Sequence, residues 1–220
     1  MQQIIAKQSV KNSLISIDRT TNIPLIGAIH IGVIDRGSNL LQVRASTYCN
    51  MKCSFCSTAA NSREIHNYNY EIDLDYLLDW IKEAVRLKND EVSQINIDSV
   101  GAPTAYPRIA ELIRKVKSIQ NVEFVTMQSN GTLLTEEKIK ALESAGLGRI
   151  NLSLHSLDDK FSKYLFGSDH YNVDRIKSVC KMINDSNIEL NITPVYLPGL
   201  NDNDIPKLIQ DDRTYGTYFD

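Results

Sequence analysis

The sequence predicts an α/β fold in which helices cover a parallel sheet. Runs with β character and runs with helical periodicity take turns along the chain, with no internal repeat and no low-complexity tract. Alternation of this kind is the mark of successive βα units. The 220 residues, 42% of them hydrophobic, also suffice for a substantial core within one domain.

The predicted elements follow in order. Strand one is Leu40 to Ala45, "LLQVRA", and it runs directly into a cysteine-rich loop. In "DLDYLLDWIKEAVRLKND", Leu74, Leu77, Leu78, Ile81, Ala84 and Val85 share one helical face, with Asp73 or Asp75 as N-cap. Strand two is Ser93 to Val100, ending at Gly101 and Pro103, and Pro107 to Ile119 form the next helix, with the proline in its first turn. Strand three, Val122 to Asn130, closes at Gly131. Thr135 then caps a helix that carries Glu136 and Glu137 at its positive end and stops at Gly146. Strand four is Arg149 to Ser156, the helix after it Val173 to Asn184, and strand five Ile188 to Leu197; "PGLNDNDIPKLIQ" supplies a turn and the start of one more helix. Five βα steps are visible and no sixth strand is read.

Charge and targeting signals narrow the function class. A net charge of -3 gives no general electrostatic footprint for nucleic acid. The most apolar N-terminal stretch, Ile23 to Ile34, is interrupted by Pro24, Gly27, His30 and Gly32, so neither a signal peptide nor a membrane span is expected. Four cysteines, three of them in one loop, do not make a secreted disulfide framework. The expected compartment is the cytoplasm.

The chemistry is concentrated in "STYCNMKCSFCSTAA", residues 46–60: Cys49, three residues, Cys53, two residues, Cys56. The loop follows the first strand of the βα series, where catalytic loops of barrel-like folds are found. Iron–sulfur clusters normally take four cysteine ligands, so three would leave one iron open to another molecule. A structural zinc loop completed by Cys180 is the other reading of the same thiols. Cys180, however, lies on the helical stripe of Val173, Ile176, Val179 and Ile183 and reads as core. His155, at a strand end, could donate to a substrate or cofactor, or be a hydrogen-bonded structural residue. Tyr68, Tyr70, Tyr76 and Trp80 receive no role.

With these residues in view, the loop closely resembles the CxxxCxxC motif of the radical S-adenosylmethionine (radical SAM) superfamily. "CNMKCSFC" is most similar to the branches of cofactor biosynthesis and peptide maturation, such as the molybdenum cofactor cyclase, and "IGVIDRGSNLLQVR" resembles uncharacterised archaeal-type members. Further along, Ser99, Val100, Gly101, Ala102 and Pro103 align with the family's Gly-rich segment. Ser129, Asn130 and Gly131 resemble its Thr-Asn-Gly turn, "NLSLHSLDD" its Ser-Leu-Asp segment with Ser153 at the serine and His155 where aspartate is common, and "VYLPGLNDNDI" the segment after strand five.

The resemblance implies a partial (β/α) barrel with a core at residues 38–210, an N-terminal extension at 1–37 and a tail at 211–220. It implies a [4Fe-4S] cluster on Cys49, Cys53 and Cys56, with S-adenosylmethionine as the missing ligand, and cofactor contacts from Phe55, Gly101, Ala102, Asn130 and Ser153. It also implies one-electron cleavage of SAM to a 5′-deoxyadenosyl radical that takes hydrogen from a substrate. Partners would be an electron donor of the ferredoxin or flavodoxin type and an unidentified small molecule, peptide or RNA, with no membrane. No side chain is assigned as a catalytic acid, base or nucleophile.

Two features depart from the family pattern. Ala102 stands where a glutamate usually meets the SAM amino group, and Asp98 is the candidate substitute. "DDRTYGTYFD" replaces the sixth strand, so the chain is expected to be truncated and to associate through the exposed sheet edge, as a dimer or with a partner subunit. Two further readings stay beside the enzyme: a noncatalytic iron–sulfur member, and a zinc-stabilised binding module.

Overall fold

The computed structural model describes residues 13–60, 68–89 and 91–209. The chain order is β1 (Ser13–Ile17), β2 (Gly32–Asp35), β3 (Leu40–Arg44), β4 (Tyr68–Ile72), α1 (Leu74–Leu87), β5 (Gln94–Asp98), α2 (Ile109–Lys117), β6 (Phe124–Ser129), α3 (Glu136–Ser144), β7 (Arg149–Leu152), α4 (Asp159–Phe166), α5 (Val173–Asn184) and β8 (Glu189–Ile192). The main sheet has six strands in the order β2-β3-β5-β6-β7-β8, and β1 pairs with β4 in a separate parallel ribbon. Five of the six, β3 to β8, are parallel neighbours, which is the partial barrel the sequence predicts. The sheet does not close on itself among the described residues.

Alternation along each parallel strand separates two environments. Leu41, Val43, Ile95, Ile97, Val125, Met127, Ile150, Leu152, Leu190 and Ile192 are buried in one core with the apolar stripes of the helices. The intervening residues are polar: Gln42, Arg44, Asn96, Asp98, Thr126, Gln128, Asn151 and Asn191. They follow the ladder in register, Gln42 beside Asn96 beside Thr126, and Gln128 beside Asn151 beside Asn191. The concave side of the half-barrel is therefore hydrophilic.

The caps act as sequence chemistry requires. Asp73 accepts the N–H groups of Asp75 and Tyr76 at the start of α1, and Thr135 accepts that of Lys138 at α3. Gly146 follows α3 in a left-handed conformation, and Cys180 is buried on α5, whose bounds match the predicted ones.

Several expectations need correction. Helix α2 starts at Ile109, because Pro107 sits in the turn before its N-cap, Arg108. The strands are shorter than their apolar runs suggest, ending at Arg44, Asp98, Ser129, Leu152 and Ile192, and the chain beyond each end peels away into loops. Four elements, β1, β2, β4 and α4, were not foreseen. Helix α4 spans only eight residues, between its N-cap Asp158 and Gly167 at its C-terminal end. Strand β2 adds an antiparallel edge to β3 inside the stretch read as broken apolar sequence. Gly32 makes that edge possible: its φ is +90°, and a Cβ there would lie 2.2 Å from the Leu25 carbonyl oxygen. The tail at 211–220 and residues 1–12 of the extension lie outside the described residues.

Candidate cofactor site

The parallel strands deliver their C-terminal loops to one end, and these loops enclose a cavity of about 500 Å³. Cys49, Cys53, Cys56 and Phe55 enter it from the loop after β3, Gly101 and Ala102 from the loop after β5, Asn130 from the turn after β6, and Ser153 from the segment after β7. All eight residues singled out from the sequence thus border one space. Met51, Gln128, Phe166, Pro194 and Val195 also line it and were not foreseen.

Hydrogen bonds hold the cysteine loop from three sides. Lys52 and Ser54 donate their N–H groups to the carbonyls of Phe166 and Leu165, both at 2.9 Å, so the end of α4 pins the middle of the loop. The Ala102 N–H donates to the Tyr48 carbonyl. A Cβ at Gly101 would lie 1.6 Å from that carbonyl oxygen, so only glycine allows the two loops to approach. On the third side, Asn50 donates to the Thr132 hydroxyl at 2.8 Å and accepts from Asn130 at 3.0 Å, tying the loop to the turn after β6.

The three thiols are half-buried, and their environments differ. Burial pushes the Cys49 thiol up from its ordinary value, and burial followed by the neighbouring thiols pushes Cys53 up to about 12. Burial acts in the same direction on Cys56, but the Thr58 hydroxyl and the N–H groups of Ala60, Thr58 and Ala59 outweigh it and bring that thiol below its ordinary value. Cys56 is therefore the thiol closest to being a thiolate, and the other two hold their protons until a bound metal displaces them.

Among the described residues, no three His, Cys, Asp or Glu side chains converge so as to hold a single ion. Cys180 remains in the helical core, so the reading that completes a zinc site with it gains no support.

Among the described residues that line this cavity, Asp98 is the single carboxylate. One of its oxygens accepts from Arg44 at 2.9 Å and from the Gln42 amide. Arg44 is itself buried beneath it and also donates to the Ile29 carbonyl. Ala102, at 2% exposure, brings no charge to the wall.

His155 is 1% exposed and forms part of an aromatic wall. Its ring stacks on Phe166, centroids 4.9 Å apart, and meets the ring of Phe55 edge-on at 4.6 Å. Burial lowers its pKa to about 4, so the ring is neutral near pH 7. A second cavity, of about 600 Å³ and largely apolar, lies between the N-terminal segment and β4 and shares Ala60 and Val100 with the first. Tyr68 and Tyr70, given no role from the sequence, line it.

Comparison with known proteins decides the family. The model of the radical SAM superfamily matches residues 43–211. The chain belongs to this superfamily. An uncharacterised protein of Methanocaldococcus jannaschii is 37% identical over 191 residues, 86% of this chain and 44% of that protein. The GTP 3′,8-cyclase of Alkaliphilus oremlandii is 29% identical over 181 residues, 80% of this chain and 52% of the cyclase. The chain thus spans about half the length of these curated radical SAM relatives. Streptococcus suis SuiB, solved bound to S-adenosylmethionine, shares the fold with a TM-score of 0.63 at 23% identity, over 84% of this chain and 41% of SuiB. No helix among the described residues is long and apolar enough to cross a membrane.

Proposed function

We propose that this chain forms the cofactor-binding core of a radical SAM enzyme, with residues 38–210 as that core. Cys49, Cys53 and Cys56 would hold a [4Fe-4S] cluster, and Phe55, Gly101, Ala102, Asn130 and Ser153 would border S-adenosylmethionine beside it. When bound, this pair supplies one-electron cleavage of the SAM C–S bond and a radical that takes a hydrogen atom from substrate. The observation that carries the reading is the meeting of three thiols from one loop with the turns after β5, β6 and β7 at one cavity.

The chain's own contribution is placement and shielding. Pinning by α4 and by the Gly101 contact presets the loop, so little ordering is left to metal binding. The wall of Phe55, His155 and Phe166 excludes water from one side of the cavity. Asp98 offers an anionic group for a cationic cofactor, although Arg44 already neutralises much of its field. That balance, with Ala102 uncharged, is the ground of a second reading: a member that keeps its cluster but binds SAM weakly and performs no radical chemistry.

A ferredoxin- or flavodoxin-type electron donor belongs to the enzyme reading. The substrate class stays open between a small molecule, a peptide and RNA: relatives include a GTP 3′,8-cyclase, and SuiB has been solved with its precursor peptide SuiA. Electron paramagnetic resonance of the anaerobically reconstituted, reduced protein tests the reading. A cluster signal that changes when SAM is added supports the enzyme, a cluster signal indifferent to SAM supports the noncatalytic member, and protein that binds zinc but no iron overturns both.

A further inference from the structure

His155 has its ring fixed at one nitrogen and unsatisfied at the other. The Val195 N–H donates to Nδ1 at 3.0 Å, so Nδ1 carries a lone pair, and in the neutral ring the proton lies on Nε2. Asn201 donates to the His155 carbonyl at 3.1 Å and to the Val195 carbonyl at 2.8 Å, which clamps the two segments that set this tautomer. Phe166 covers one face of the ring, Tyr171 stacks behind Phe166 with centroids 4.0 Å apart, and Phe55 abuts the ring edge-on. The Nε2–H group is buried and has no hydrogen-bond partner among the described residues. Native interiors rarely leave such a donor unmatched, and those that do usually await a ligand, ion or water.

His155 is one of the side chains that line the candidate cofactor cavity, so a molecule filling that space is a source of the acceptor its buried donor lacks. We propose that His155 is a positioning residue whose Nε2–H donates to a purine ring nitrogen of the nucleoside bound in this cavity. The assignment rests on the proposed function, which puts a nucleoside cofactor there. The chemistry of the wall fits it independently. Phe55, partly exposed and edge-on to His155, offers an aromatic surface to a flat ligand, and a single preset donor beside it selects that ligand's orientation.

The probe is S-adenosylhomocysteine, titrated calorimetrically into anaerobic protein carrying its cluster. His155→Phe keeps the aromatic stack and removes the donor; His155→Gln restores an amide N–H near the same position. Affinity should fall about tenfold in the phenylalanine variant, the size expected for one hydrogen bond to a buried acceptor, and recover in the glutamine variant. Deaza analogues, in which one ring nitrogen at a time is replaced by C–H, identify the acceptor. One of them should bind the parent about tenfold more weakly and lose nothing further in His155→Phe, because the bond is already gone.

If every analogue loses the same factor in the variant, the ring serves packing alone and the assignment is overturned. A shifted cluster potential with unchanged nucleoside affinity also overturns it, since the donor would then serve the cluster. If the parent with a full cluster binds no nucleoside, the functional reading fails and the assignment fails with it.

Discussion

The N–H of Lys52 donates to the carbonyl of Phe166 at 2.9 Å, joining the cysteine loop to the last turn of α4 more than a hundred residues later in the chain. The contact depends on Gly167, which ends α4 with a φ of +57° and whose missing side chain leaves room for the Lys52 carbonyl; a Cβ would lie 2.2 Å from that oxygen. Gly167→Ala should therefore displace the cysteine loop while leaving the sheet intact. The expected outcome is an unchanged far-ultraviolet circular dichroism spectrum with a clearly reduced iron content per chain after reconstitution.

Gly101→Ala tests the second fastening. The added Cβ would meet backbone on the loop before the first cysteine, where no flexible side chain can yield. Overpacking of this kind should cost about 3 kcal/mol, read as a lower urea midpoint with an unchanged slope.

The ion pair between Arg44 and Asp98 spans adjacent parallel strands on the hydrophilic side of the sheet. Arg44→Met would leave the carboxylate without its cation and should destabilise the fold by about 3 kcal/mol. The double variant Arg44→Met/Asp98→Leu removes both charges and should be less destabilised than the single variant. Urea unfolding of the three proteins in a double-mutant cycle measures this coupling.

His155 should make stability depend on pH. Its folded pKa, about 4, lies below the ordinary 6.5, so the unfolded chain binds the extra proton between these values. Stability from this group is complete above about pH 6.5 and is lost as pH falls toward 4, by about 2 kcal/mol between pH 7 and pH 5. Unfolding midpoints at the two pH values should differ by less in His155→Phe than in the parent protein.

Local patterns made much of this architecture legible. The stripe of Val173, Ile176, Val179, Cys180 and Ile183 marks α5 to its ends, and alternation in "INID" or "RINL" marks β5 and β7. Elements that depend on distant partners were not legible. Strand β2 exists because Gly32 fits against Leu25 and its neighbours pair with β3, and α4 is too short for its periodicity to stand out. The same holds at the site. Cys49, Cys53 and Cys56 announce themselves by spacing and the turn residues by their resemblance to the family, whereas the orphaned Nε2 of His155 follows from a bond to Val195, forty residues away in the chain. Phe166 carries no motif and reaches the cavity only through the fold, while Val195 opens the segment that resembles the family after strand five.

Radical chemistry in this chain is tested most directly by 5′-deoxyadenosine formation from SAM by anaerobically reconstituted protein with a strong reductant. Product that depends on reductant and disappears in Cys53→Ala is expected. Protein with a full cluster that yields no product would contradict radical chemistry in this chain and would turn attention first to Ala102, buried and uncharged at the cavity wall.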